Sequence, residues 1–204
     1  AAYQDPATGE RVSGGPNSHV DWSTLSREGR RFVNMALTPE EITATTGKPA
    51  VSPVRAFVGL ATAPTVDARV AIALQELEDL GAFERSVLCF SSPTGTGYIN
   101  YVVAETLEYL TNGDCATFGL QYSLRPSFLS LDKVKLGREQ NRALLHAIHG
   151  RLMGIEESKR PKFVAMGESL GAFTMQDAFL HEGTGGLHRA GISRGLFIGT
   201  PAES

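Results

Sequence analysis

From Val54 onward, apolar residues fall into short unbroken runs, separated by longer stretches in which they recur every three or four positions. The runs are residues 54–60 (VRAFVGL), 85–92 (RSVLCFSS), the segment CATFGLQYS from Cys115, 162–167 (KFVAMG) and 195–200 (GLFIGT). Runs of this length predict strands buried on both faces. The stretches between them predict helices. Residues 65–80 place Val66, Val70, Ala73, Leu74 and Leu77 on one face, with Thr65 to cap the start and Gly81 to stop the end. Residues 100–110 form a second helix closed by Asn112 and Gly113, and residues 131–152 a longer one with Val134, Leu144, Leu145, Ile148 and Leu152 at helical spacing. A further helix is expected over residues 170–180.

Five strands alternating with helices predict an α/β fold, a parallel sheet covered by helices on both faces. Residues 1–50 differ from this body: they are rich in Gly, Pro, Ser and Thr, with an aromatic cluster at Trp22 and Phe32. They read as an irregular arm packed on the domain of residues 51–204, with short helical turns near 23–32 and 39–45. In open parallel sheets the site lies at the carboxyl ends of the strands. The loops there carry ATAPT (61–65), PTGTGY (93–98), QYSLRPS (121–127), GESLG (167–171) and PAES (201–204).

Composition narrows the ligand. The chain has 204 residues, 42% of them hydrophobic, enough for one domain with a substantial core. Its formal net charge is -3, with Lys and Arg spread along the sequence. That charge pattern gives no footprint for nucleic acid and suits a small or lipid-like substrate. The two cysteines, Cys89 and Cys115, have no metal-binding spacing, and read either as small core residues on neighbouring strands or as a disulfide. No metal or other cofactor is expected, and no apolar run approaches the length of a membrane span.

The chemistry centres on residues 160–173 (RPKFVAMGESLGAF), where an apolar strand leads into Gly-Glu-Ser-Leu-Gly and a helix leaves it. This is the context a nucleophile elbow needs. Ser169 must take a strained backbone conformation to lift its hydroxyl above the sheet, and Gly167 and Gly171 leave room for neighbouring backbone. The Leu170 N–H then points at the oxyanion of a tetrahedral intermediate. A second oxyanion donor is expected from a neighbouring loop, with Ala61 or Thr62, through a backbone N–H or the Thr62 hydroxyl, as the candidate against an ordinary strand-to-helix connection. Thr94, Gly95, Thr96 and Gly97 lack the Lys-Ser/Thr of a phosphate-binding loop and read as a wall of the acyl site, together with Gln121 and Tyr122.

Four blocks taken in order, WSTLSREGRRFV, VRAFVGLATAPTVDARVAIALQELEDLGAFERSVLCFSSPTGTGYIN, EYLTNGDCATFGLQYSLRPSFLS and RPKFVAMGESLGAF, resemble the bacterial alpha/beta-hydrolase family whose members often carry an N-terminal multi-span membrane region. The similarity runs from about residue 14 to 201. It implies an alpha/beta-hydrolase-like sheet, a serine hydrolase acting on an ester or related acyl group, a place outside the cytoplasmic membrane, and Ser169 as the nucleophile. It implies no particular substrate. The chain departs from the family in lacking the membrane region and the downstream part in which the acid and the histidine of the triad are expected.

Of the five histidines, His19 lies in the arm, His146 and His149 on the long helix, and His181 and His188 after the elbow helix. None is directed by its position at Ser169. Glu203 is a candidate acid, because it follows the strand after the nucleophile strand; the competing reading is a solvated terminal residue. Triads in such folds follow the order Ser, acid, His. The expectation is therefore that histidine and acid come from a downstream segment or a second polypeptide, which would stay packed on this one after nicking of an exposed loop. The transferred acyl group would go to water, making an esterase or lipase, or to another alcohol, making a transacylase. The rival reading is a catalytically inactive, hydrolase-like scaffold.

Overall fold

The computed structural model describes residues 3–124, 134–177 and 183–201. Its helices are α1 (Arg27–Asn34), α2 (Pro39–Thr46), α3 (Val66–Asp79), α4 (Tyr101–Leu110), α5 (Val134–Met153), α6 (Leu170–Gln176) and α7 (Gly183–Arg189). Its strands are β1 (Val54–Val58), β2 (Val87–Ser92), β3 (Cys115–Leu120), β4 (Lys162–Glu168) and β5 (Ile192–Ile198). All pair in parallel, in the order β1-β3-β2-β4-β5. Parallel neighbours need crossover connections, and right-handed crossovers fix where the helices go. The moves from β1 to β2, β3 to β4 and β4 to β5 share one direction, which sets α3, α5 and α6 on one face, where α5 packs on both of the others. The move from β2 back to β3 sets α4 on the opposite face, beside α2.

The first face holds the main core. Alternation along the strands turns Val54, Ala56, Leu88, Phe90, Ala116, Phe118, Phe163 and Ala165 towards α3 and α5, which answer with Val70, Ala73, Leu77, Leu144, Leu145, Ile148 and Leu152. Phe90 and Phe118 stack with centroids 5.1 Å apart. The second face is more polar. Arg55 and Glu108, both fully buried, form an ion pair of 2.6 Å between β1 and α4. Arg55 also donates to Phe32 O at 2.8 Å, and Glu108 accepts from Leu37 N at 3.1 Å. Burial pushes the Glu108 carboxyl up, and the Arg55 guanidinium opposes the shift.

The segment before β1 is tied to the sheet at defined points. Val12 bridges Arg55 in parallel, with Ser13 N donating to Arg55 O and Arg55 N to Arg11 O. The buried Glu76 of α3 accepts from Ser13 Oγ at 2.6 Å, Ser18 Oγ at 2.7 Å and His19 N at 2.6 Å. Trp22 is buried and donates through Nε1 to Gln4 O at 3.0 Å. Thr38 and Glu41 form a reciprocal capping box on α2, with Gly47 at φ 68° ending that helix.

Thr65 caps α3, and Gly81 at φ 74° turns the chain out of it, as the sequence pattern predicts. The fifth strand starts earlier than expected. Gly191, at φ 74°, closes the turn after α7, so that Ile192 already pairs with Phe163. The expected start of the long helix at 131–133 and the end of the elbow helix at 178–180 lie outside the described residues. Cys89 and Cys115 are free and buried on neighbouring strands, and burial pushes both thiols up to about 12.

Candidate active site

The strand order contains a switch point. From β2 the chain goes one way across the sheet, to β3, and from β4 the other way, to β5. The adjacent carboxyl ends of β2 and β4, where Ser92 pairs with Gly167, therefore open a crevice between diverging connections. Ser169 sits there. It stands between β4 and α6 with φ 54° and ψ -125°, and is half-buried. A serine in this region is strained, at a cost of about 1–3 kcal/mol that the surroundings must hold. Those surroundings are tight: Ser169 N donates to Ile198 O at 2.9 Å, and Phe173 N to Ser169 O at 3.1 Å.

The two glycines explain how the turn closes. A Cβ on Gly167 would lie 2.7 Å from the backbone of Ala172, and one on Gly171 only 2.2 Å from Ser92 O. Strand, turn and helix can approach this closely only without side chains there. Leu170 begins α6, so its N–H has no intrahelical partner. No described side chain is hydrogen-bonded to the Ser169 hydroxyl.

The loop beside the elbow is the one after β2. Thr94 N donates to Tyr98 O and Gly97 N to Thr94 O, each at 2.9 Å, which leaves Gly95 and Thr96 with N–H groups that no described residue accepts. Gly97 at φ 89° lets Gln121 approach: a Cβ there would lie 2.4 Å from Nε2. Gln121 donates to Thr96 O at 3.2 Å and Ser123 O at 2.7 Å, tying this loop to the end of β3. Gln121 and Tyr122 are both fully buried, so they support the loop and the elbow from below and present no wall to a substrate.

Ala61 and Thr62 lie elsewhere. They follow β1, and β3 and β2 intervene before β4. At about 4.8 Å per strand this is about 14 Å from the elbow. The Thr62 hydroxyl is shared with Thr24 Oγ1 at 3.0 Å. The expected second oxyanion donor is therefore misplaced in Ala61 and Thr62, because adjacency to the nucleophile strand belongs to β2.

On the α4 side, Glu168 accepts from Asn100 Nδ2 at 3.1 Å, while Asn100 Oδ1 caps α4 by accepting from Val102 N and Val103 N. Tyr98 lies close by, its phenol pushed up by burial and further by the charge of Glu168. Arg31 stacks over the rings of Tyr98 and Tyr101 at 5.9 and 5.0 Å. Sequence reasoning missed this cluster; the signal available was Asn100 at a helix start, whose amide has a second end to spend.

None of the described histidines reaches the crevice. His19 faces Asp79 at 3.8 Å, in the last turn of α3. His149 lies against Gly191, at the amino end of β5, His146 is exposed on α5, and His188 ends α7. His181 and Glu203 lie outside the described residues.

Comparison with known proteins agrees with this geometry. Residues 54–204, the span from β1 onward, match the alpha/beta-hydrolase family. Searches of curated proteins and of solved structures returned no match. A strained serine between flanking glycines, seated at the switch point of a parallel sheet, together with a family match over three quarters of the sequence, places the chain in the alpha/beta-hydrolase family.

Proposed function

We propose that the protein is a serine hydrolase that cleaves an ester or related acyl bond through an acyl-enzyme on Ser169. One observation carries the reading: the backbone of Ser169, at φ 54° and ψ -125° directly after β4, takes the strained conformation that a nucleophile elbow requires. In the reaction the hydroxyl oxygen attacks the acyl carbonyl as its proton passes to a general base. The tetrahedral oxyanion is met by the Leu170 N–H and by an N–H of the loop after β2, Gly95 or Thr96. Collapse expels the alcohol, and water releases the acyl group.

The base is a histidine oriented by a carboxylate, both contributed from outside the described residues, by a downstream segment or a second polypeptide packed against β5. That strand supports the idea: among the described residues its outer edge pairs with nothing, and Leu196 and Ile198 are 48% and 39% exposed beside it. We place the protein outside the cytoplasm, secreted or attached to the cell envelope, where lipid esters are the substrate class to try first.

The test is a fluorophosphonate probe on the complete protein, followed by intact mass. Stoichiometric labelling that disappears in Ser169→Ala supports the reading, and a second labelled-complex component in the mass spectrum supports the divided site. Absence of labelling in the complete protein favours the inactive, hydrolase-like scaffold. Release of the acyl group to an added alcohol in preference to water makes the enzyme a transacylase.

A further inference from the structure

Behind the elbow, on the face covered by α5, lies a polar cluster that the proposed chemistry does not use. Asn141 of α5 is fully buried, beside Gln140, at the end of a face that continues with Leu144, Leu145 and Ile148. Its Nδ2 donates to Ser92 Oγ at 3.1 Å and to Thr174 Oγ1 at 3.3 Å. Ser92 ends β2, at the root of the loop that flanks the elbow, and Thr174 lies in α6. The two hydroxyls are themselves 3.3 Å apart. Thr174 Oγ1 donates in turn to Gly171 O at 3.2 Å, inside the first turn of α6. That direction fixes the others: Thr174 spends its proton on Gly171 and accepts from Asn141 and from Ser92.

The cluster is costly where it stands. Buried polar groups oppose folding unless each is satisfied, and Asn141 Oδ1 has no hydrogen-bond partner among the described residues. Leucine or valine at these positions would fill the same space at less cost. What the polar groups add is direction. They join β2, α5 and α6 at one point, directly behind Gly171, whose missing side chain lets Ser92 O and Pro93 O come against the elbow. Gly137, one turn earlier on α5, lets Tyr122 and Thr174 close in from the same side, a Cβ there lying 3.1 Å from the Tyr122 ring and 3.0 Å from the Thr174 methyl. A separate ion-pair grip, Arg138 and Arg142 on Asp177 at 3.2 and 2.8 Å, holds the far end of α6.

We infer that Asn141 is a positioning residue for the nucleophile: it fixes the separation between the elbow helix and the loop after β2, and so the register of Ser169 and Leu170 against the Gly95 and Thr96 N–H groups. The hydroxyl and the two sides of the oxyanion site belong to different elements, and Asn141 bonds to both, bracing the direct contact between Ser92 and Thr174. The inference rests on the serine-hydrolase reading for its catalytic consequence, but the coupling itself is a property of the fold.

Two readouts on the complete protein separate these. In Asn141→Ala and in the near-isosteric Thr174→Val, amide hydrogen exchange should speed up together in peptides covering residues 91–98 and 168–176, with β1 and β3 unchanged. The fluorophosphonate labelling rate should fall by about tenfold or more, in line with the loss of one oriented oxyanion contact. Thr174→Ser should restore both, and Arg142→Ala, on the outer grip, should change neither. If Asn141→Ala does not fold, Thr174→Val alone decides. Exchange that rises in only one of the two peptides, or equally throughout the sheet, overturns the inference, as does an unchanged labelling rate in the variants. If the wild-type protein is not labelled at all, the hydrolase reading falls, and the exchange data still decide whether Asn141 couples the two elements.

Discussion

At Ser169 the chemistry we propose and the backbone make opposite demands. The hydroxyl is wanted at a position where a side chain is disfavoured, since φ 54° with ψ -125° is glycine territory. Ser169→Gly should therefore be more stable than Ser169→Ala by about 1 kcal/mol, because only glycine relieves the strain. Urea unfolding of the two variants measures this; equal midpoints would mean that the turn is unstrained. The serine and its glycines are legible in the sequence, since an apolar strand leads into them and a helix leaves them. Asn141 is not. At three, four and seven positions from Leu144, Leu145 and Ile148 it falls on their face, but spacing says nothing of its partners, which only the packing of α6 and β2 supplies. Arg69, Glu76 and Gln140 escape for the same reason, each buried beside apolar residues of its helix.

Among the elements, existence and type follow from periodicity, but neighbourhood does not. Alternating strands and helices are compatible with several strand orders, and assigning the oxyanion loop to Ala61 and Thr62 required an order the chain does not have. The order β1-β3-β2-β4-β5 makes β2 the neighbour of β4 and its loop the neighbour of the serine. On the other face, Arg55 and Glu108 join β1 to α4 and bring in α1 through Phe32. Removing one member strands a buried charge. Glu108→Leu or Arg55→Met alone should cost about 3–5 kcal/mol, whereas the double variant should recover most of that loss. Chemical denaturation of all four proteins gives the cycle; additive losses would show that the pair is not coupled.

Across the whole molecule, the N-terminal segment behaves as part of the fold. Glu76 gathers three donors from residues 13–19, Ser13 Oγ, Ser18 Oγ and His19 N. Glu76→Ala leaves the buried Ser13 hydroxyl without its acceptor, at about 1–3 kcal/mol, and takes the same anchor from the part-buried Ser18 hydroxyl and the His19 amide. The expected result is release of the segment ahead of global unfolding, seen as new tryptic cleavage at Arg11 or Arg27 while the sheet stays protected. Cleavage that appears only together with unfolding of the sheet would show that segment and sheet are one cooperative unit.

The bridge from Val12 to Arg55 has a consequence for self-association. It occupies the outer side of β1 at Arg55, so that among the described residues only the border at β5 is open to another strand, the border on which we propose that the histidine-bearing segment packs. A molecule blocked on one side can add a neighbour through the other and then has no site left. Edge pairing between copies would stop at closed pairs, and the filament growth that a sheet open on both sides invites is denied by residues 11–13 lying against its first strand.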